Sequence, residues 1–436
     1  MEQLVNRLLQ TSKESLESSS KEELLDFIFA LKEAFINGKS SKPSVPTSRA
    51  SKEKPFDFGK HGRRKIALRI CYIGWKFDGF ASQPHSDNTI EEHLFRALLK
   101  TKLIESRESS NYTRAARTDK GVSAIENVVS LYVRSQVVPP SSGEEELDYP
   151  RILNAVLPSG IWITGWTSVD AEFHARFSAS YRTYQYYFRP ENLNLCAMQR
   201  AAQFFVGEHD FRNFCKADVS QVQSFRRVIY ACDIKIVEMT HKNIIERQLL
   251  ESMESQPHRL DNLENVSSCI SLAKLEVKGQ AFLWHQIRCM ASVLFMVGRG
   301  SEKEDIVKDM LNYESFGAKP LYRMASEIPL VLSQIGFSHL SFQQSWKAYV
   351  DMEKMIQQVC TELVSQTAVL KSLLCSLHND LRGEKRIEQD NEPSGPYLLN
   401  TEQGSHRSLE SRKREASIEE RKERQRAKNS SSVLFS

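Results

Sequence analysis

What most constrains this chain is a two-residue alternation of apolar and polar side chains that recurs along its middle and breaks off each time at turn or helix signals. Ile66, Leu68, Ile70 and Tyr72 fall on one face of a stretch whose other face carries Arg69. Val129, Leu131 and Val133 alternate with Ser130, Tyr132 and Arg134, and Leu275 and Val277 alternate with Lys274, Glu276 and Lys278. Arg182, Tyr184, Tyr186 and Phe188 share a face in the same way. Side chains two apart line one face of a strand, so these stretches predict a sheet.

Helix signals lie between them. Thr89-Ile90-Glu91-Glu92 has the spacing of a capping box and opens a helix burying Ile90, Leu94, Ala97 and Leu98. A short helix is expected from Tyr149, a strand at 161–163, and a helix over 197–206 that stops at Gly207. Residues 280–297 read as an apolar helix interrupted by His285 and Arg288. Helices mixed with strands predict a globular body that begins at Ile66.

The flanks read differently. Residues 1–38 carry Leu, Phe and Ile at helical spacing and predict one amphipathic helix, followed by a Ser-, Pro- and Lys-rich linker over 39–60. Residues 240–268 read as a polar insertion at a loop tip. A helical extension is expected over 339–381, its stripe formed by Leu363, Leu370, Leu374, Leu377 and Leu381. The stretch 382–436 is charged and Ser-rich, and disorder is the expectation there.

The 436 residues are 40% hydrophobic and 26% charged, the composition of a soluble globular protein. Eight scattered cysteines, with no Cys-x-x-Cys pair, argue against a zinc knuckle or a disulfide framework and for a reducing compartment. No stretch approaches the ~20 apolar residues of a membrane span, so a soluble intracellular protein is expected. Residues 405–429 hold nine Lys/Arg against five Glu, a local excess equal to the net +4 of the whole chain. The remainder is formally neutral, so a nucleic-acid surface on the body must be a local patch. The basic clusters of the last stretch suit a nuclear import signal or a nonspecific RNA tail.

Arg114-Ala115-Ala116-Arg117-Thr118-Asp119-Lys120-Gly121-Val122-Ser123-Ala124 sets a carboxylate among cations. Thr-Asp-Lys-Gly is good turn chemistry, and Asp119 could simply order its own backbone. Equally, neighbouring cations could hold it ionised as a nucleophile or base. Arg288, buried in an apolar helix, needs a carboxylate partner, and Asp119 is a candidate beside some other structural acid. The aromatics of residues 74–83 and the tyrosines of 181–187 suit base stacking or core filling. His209 beside Asp210 reads as turn and cap chemistry rather than an acid–base pair.

Three blocks in order resemble the TruA family of tRNA pseudouridine synthases: Arg117 to Ala124, Ala175-Arg176-Phe177-Ser178-Ala179 through Tyr184, and Gly279 to Arg288. The resemblance covers about Arg64 to Phe337. Gly74-Trp75, Gly79 to Gln83 and Gly207 to Lys216 look most like the eukaryotic branch that modifies positions 38 and 39 of tRNA. Ala116 departs from the glycine common before the motif's arginine.

The resemblance implies an α+β fold, with an antiparallel sheet from two similar α/β halves, helices on one face and a central basic cleft. It implies Asp119 as nucleophile, Arg288 paired with it, Tyr184 stacked on the flipped uracil, and Arg117 helping to displace the target base from the stem. It implies no metal or cofactor, tRNA as partner, a homodimer to which residues 343–381 contribute, and activity in nucleus and cytoplasm. The alternatives are a tRNA-binding protein or folding chaperone on the same scaffold, and an aspartate-dependent nucleoside hydrolase. A salt bridge between Asp119 and Arg288, with Tyr184 nearby, is the geometric expectation.

Overall fold

A computed structural model describes residues 56–136, 146–216, 222–238, 271–383 and 406–433. The expected N-terminal helix, most of the linker and the 240–268 insertion lie outside the described residues. In chain order the strands are β1 (Gly62–Tyr72), β2 (Thr113–Arg114), β3 (Ser123–Ser135), β4 (Ile161–Ser168), β5 (Ala179–Phe188), β6 (Gly207–Asp210), β7 (Arg226–Glu238), β8 (Ser271–Gly279) and β9 (Leu330–Phe337). The helices are α1 (Ile90–Lys100), α2 (Tyr149–Asn154), α3 (Leu195–Gln203), α4 (Gln286–Gly298), α5 (Ile306–Leu311), α6 (Tyr313–Phe316), α7 (Trp346–Gly383) and α8 (Ile418–Val433).

The strands form one open sheet in the order β4-β1-β3-β9-β5-β8-β7-β6, with β2 paired to β3 off that path. Every pairing is antiparallel except β3 with β9, which is parallel and short, Ser123 facing Val331 and Ala124 facing Leu332. The sheet is therefore mixed, which corrects the antiparallel expectation. The cause is topological: β9 comes from the second half, runs antiparallel to β5, and so meets β3 of the first half in parallel.

Two apolar cores lie on either side of this joint. The first gathers Ile66, Leu68 and Ile70 of β1, Leu94 and Leu98 of α1, and Val129 and Leu131 of β3. The second gathers Met290, Val293 and Leu294 of α4, Phe205, Phe211 and Phe214, and Leu275 and Val277 of β8. Tyr184, on β5, packs against both. The alternation read in β1 holds only in part, since Ala67 between Ile66 and Leu68 is fully buried as well.

Thr89 caps α1 by accepting the Glu92 N–H at 3.2 Å. Glu92 does not close the box; its carboxylate pairs with Arg107 at 2.7 Å and Arg96 at 3.3 Å. Backbone carbonyls of Gly79 and Phe80 instead accept the first helical N–H groups of α1. Gly207 does not end α3, which stops at Gln203; with φ of 113° it opens β6. His209 Nε2 donates to the Val206 carbonyl and Asp210 pairs with Arg212 at 2.7 Å, so neither forms an acid–base couple with the other.

Residues 406–433, read as part of a disordered tail, lie against the second core. Leu409 is fully buried and Ile418 nearly so. His406 and the Leu409 N–H meet Glu302, Arg414 stacks over Phe316 at 4.0 Å, and Glu419 accepts from Tyr313 at 2.9 Å. The average composition is that of a solvated chain, but two apolar anchors and these pairings suffice to seat it. Among the described residues no helix is long and apolar enough to cross a membrane.

Candidate active site

Asp119 sits on the loop between β2 and β3, and its backbone is fixed from behind by residues 74–83. The Phe80 N–H donates to the Thr118 carbonyl at 3.0 Å and the Gly121 N–H to the Phe77 carbonyl at 3.2 Å. Gly74 lies so close that a Cβ there would come 2.0 Å from the Val122 oxygen. Gly79, at φ 94°, faces the backbone of residues 118–120. This packing explains the glycine punctuation. Phe77 and Phe80 are buried and fill core space, whereas Trp75 is exposed. Thr118 and Tyr72 share a buried hydrogen bond of 2.7 Å, and Arg114 pairs with the buried Glu91 of α1.

The cations flanking Asp119 in sequence do not hold its carboxylate. Lys120 pairs with Asp78 at 2.7 Å, and Arg117 is exposed, with no hydrogen bond or ion pair among the described residues. Its partners come from the segment leading into α4. The Trp284 indole N–H donates to Oδ1 at 3.1 Å, and His285 Nε2 lies 3.5 Å from Oδ2. Burial raises the Asp119 pKa; the positive charge of Arg288 and the Trp284 hydrogen bond oppose this, and Glu327 adds to it.

Arg288 corrects the expected geometry. Its guanidinium pairs with Glu327 at 2.8 Å and donates to the Ala325 carbonyl at 2.8 Å, so it acts on Asp119 through its field rather than by direct contact. The acid that buried Arg288 requires is thus Glu327, just ahead of β9.

Tyr184 stands where expected. Its ring meets Phe282 edge-on at 5.2 Å, and burial, reinforced by the Asp119 charge, pushes its phenol well above the usual range. The phenol therefore keeps its proton at neutral pH.

Two residues to which the sequence assigned no site role, Arg182 and His285, lie at the site. Arg182 of β5 is buried, has no ion pair among the described residues, and donates to four carbonyls: Arg176 at 2.7 Å, Gln280 at 2.8 Å, Ala115 at 3.0 Å and Ala179 at 3.4 Å. It thereby ties the aspartate loop, the Arg176 turn and the approach to α4 together. His285 adopts φ of 62°, uncommon for a residue with a Cβ, and its buried Nδ1 has no hydrogen-bond partner among the described residues. Burial and the cations Arg288, Lys216 and Lys319 lower its pKa to about 4, so it is neutral at pH 7. A basic side chain in a strand and a His before a helix carry no sequence signal for these roles.

Residues 201–338 match the family model for tRNA pseudouridine synthase, a segment that contains Arg288 but not Asp119, Arg117 or Tyr184. The chain is 36% identical over 356 residues to the tRNA pseudouridine(38/39) synthase of Saccharomyces cerevisiae, covering 79% of this chain and 73% of that protein. The chain belongs to the TruA family of tRNA pseudouridine synthases. It is 42% identical over 338 residues to the human tRNA pseudouridine(38/39) synthase, covering 74% of this chain and 66% of that relative's length. It is also 31% identical over 310 residues to the tRNA pseudouridine synthase A of Thermococcus kodakarensis, covering 98% of that protein.

Proposed function

We propose that this chain isomerises uridine to pseudouridine in the anticodon stem-loop of tRNA, at positions 38 and 39. The reading is carried by one convergence: the Asp119 carboxylate, the Tyr184 ring and the Trp284-His285 turn, drawn from three separate sequence blocks, meet at the joint of the two halves. Asp119 is the nucleophile: its carboxylate oxygen bonds to C1′ as the N1–C1′ bond breaks. The freed base turns, C5 bonds to C1′ as the carboxylate–C1′ bond breaks, the C5 proton leaves and N1 gains one, so the reaction is an isomerisation that balances without a co-reactant.

Tyr184 offers a stacking surface for the flipped uracil, its phenol protonated and beside Asp119. Arg288 supplies positive field at the carboxylate. Arg117 is exposed beside Arg114 and Arg176, whose charges it feels, and is free to displace the target base or meet a phosphate. The two halves, 61–170 and 171–338, frame the cleft in which the stem-loop lies.

α7 supports a homodimer. Tyr349, Ile356, Leu363, Leu370 and Leu377 recur every seventh residue, and Leu363, Leu370 and Leu377 are exposed on a helix whose first turns alone, at Ala348 and Met352, are buried. Light scattering of the full chain tests this; a monomer rejects it. We further place the protein in nucleus and cytoplasm, with the basic face of 407–428 as the import element, to be tested by imaging a fusion lacking that segment.

Pseudouridine mapping across a total tRNA pool, after incubation with wild type and Asp119→Ala, tests the activity. Modification at positions 38 and 39 by wild type alone is expected. Modification by the variant would overturn the mechanism.

A further inference from the structure

Asp119 has two carboxylate oxygens, and their surroundings differ. Oδ1 accepts the Trp284 indole N–H at 3.1 Å, within ordinary hydrogen-bond range. Among the described residues, Oδ2 meets only His285 Nε2, at 3.5 Å, a distance at which little bond remains. The indole is itself clamped. The Lys216 ammonium lies 4.6 Å over its ring, the Lys216 N–H donates to the Trp284 carbonyl at 3.0 Å, and the His285 ring stacks against it at 4.6 Å.

Neighbouring side chains on an extended backbone point away from each other. The left-handed turn at His285 brings these two rings onto one side, facing Asp119, in a conformation that a residue with a Cβ rarely adopts. The Trp284 ring is 46% exposed, so core packing does not account for the arrangement.

We propose that Trp284 is a positioning residue for the nucleophile: its indole N–H holds Oδ1 of Asp119, fixes the carboxylate plane and leaves Oδ2 as the oxygen that acts on the ribose C1′. Fixing the plane matters because a carboxylate that rotates freely presents its reacting lone pair only part of the time. The inference rests on Asp119 being the nucleophile.

Trp284→Phe in the full chain is the test, since phenylalanine can keep the ring contacts with Lys216 and His285 but has no N–H. Single-turnover rates on tRNA, tRNA affinity and a rate–pH profile are measured for wild type, Trp284→Phe and Asp119→Asn. The expected result is a rate for Trp284→Phe lower by about 10- to 100-fold, with affinity within about twofold of wild type. Its acidic limb should move to higher pH, because the lost hydrogen bond favoured the ionised carboxylate.

A Trp284→Phe rate and profile equal to wild type overturns the proposal. So does weakened tRNA binding with an unchanged maximal rate, which would make the indole a stacking platform for RNA. Pseudouridine formed by Asp119→Asn would instead overturn the reading beneath it, whatever Trp284→Phe does.

Discussion

Arg288 and Glu327 form a 2.8 Å ion pair beside the Asp119 carboxylate and not upon it. The arginine's charge still favours the ionised aspartate, while the glutamate's disfavours it, so the pair presents two opposed fields to one carboxylate. An arginine bound directly to Asp119 would occupy lone pairs of its carboxylate. Held by Glu327, it stabilises charge without blocking it.

Glu327→Gln should therefore lower the pH at which Asp119 ionises and move the acidic limb of the rate–pH profile downward. Because Glu327 is about a third exposed, the stability cost should be on the order of 1 kcal/mol or less. A limb that stays in place or moves upward would show that Glu327 does not act on the nucleophile.

Asp119→Asn should abolish pseudouridine formation and yet stabilise the fold. A carboxylate whose folded pKa is raised contributes stability below its unfolded pKa and loses it as pH rises through the folded value. At pH 7 the wild type bears that loss and the variant does not. Thermal melts should place Asp119→Asn a few degrees higher at pH 7, with the gap closing toward pH 3. A variant melting lower at pH 7 would contradict the burial argument.

His285 has the opposite sign. The unfolded chain protonates it near 6.5 and the folded chain only near 4, so its contribution to stability is complete above 6.5 and falls away as pH drops toward 4. His285→Asn, which tolerates the left-handed turn, should flatten the loss of stability between pH 7.5 and pH 5 measured by urea titration. An unchanged slope would mean that the imidazole is solvated in the protein.

Gly74→Ala should destabilise far more than Gly300→Ala. The first forces a Cβ onto the Val122 carbonyl behind the aspartate loop; the second meets nothing within 4 Å and costs only the strain of φ 72°. Denaturant midpoints should give a loss above about 2 kcal/mol for Gly74→Ala and about 1 kcal/mol for Gly300→Ala, with activity lost only in the former.

Much of this was legible beforehand, and the limits have physical causes. Alternation in β1, β3, β5 and β8 marked the sheet because each strand packs at least one face against a core. The parallel joint of β3 with β9 left no such trace, since pairing partners are set by topology rather than by local pattern. The motifs mark Asp119 and Tyr184, and in the structure the Asp119 charge acts on the Tyr184 phenol. The pairing of Asp119 with Arg288 was inferred from the rule that a buried cation needs an acid. The rule held, but Glu327 met it, and no spacing in the chain distinguishes one acid from another. The contacts of Trp284, His285 and Arg182 with the Asp119 loop leave no trace in the sequence because they depend on a left-handed turn and on carbonyls from distant segments. Likewise, the two anchors Leu409 and Ile418 were diluted by the charges around them.

The place of β9 also bears on how the protein is made. β3, which follows the Asp119 loop, and β5, which bears Tyr184, leave the ribosome well before the strand that lies between them in the sheet. Until residues 330–337 emerge, the two halves have no shared strand to bring Asp119 and Tyr184 together. Each half can collapse on its own core during synthesis, but the surroundings of Asp119 are completed late. A nascent chain stalled ahead of β9 would hold Asp119, Tyr184 and Trp284 and still lack the strand that joins their two halves.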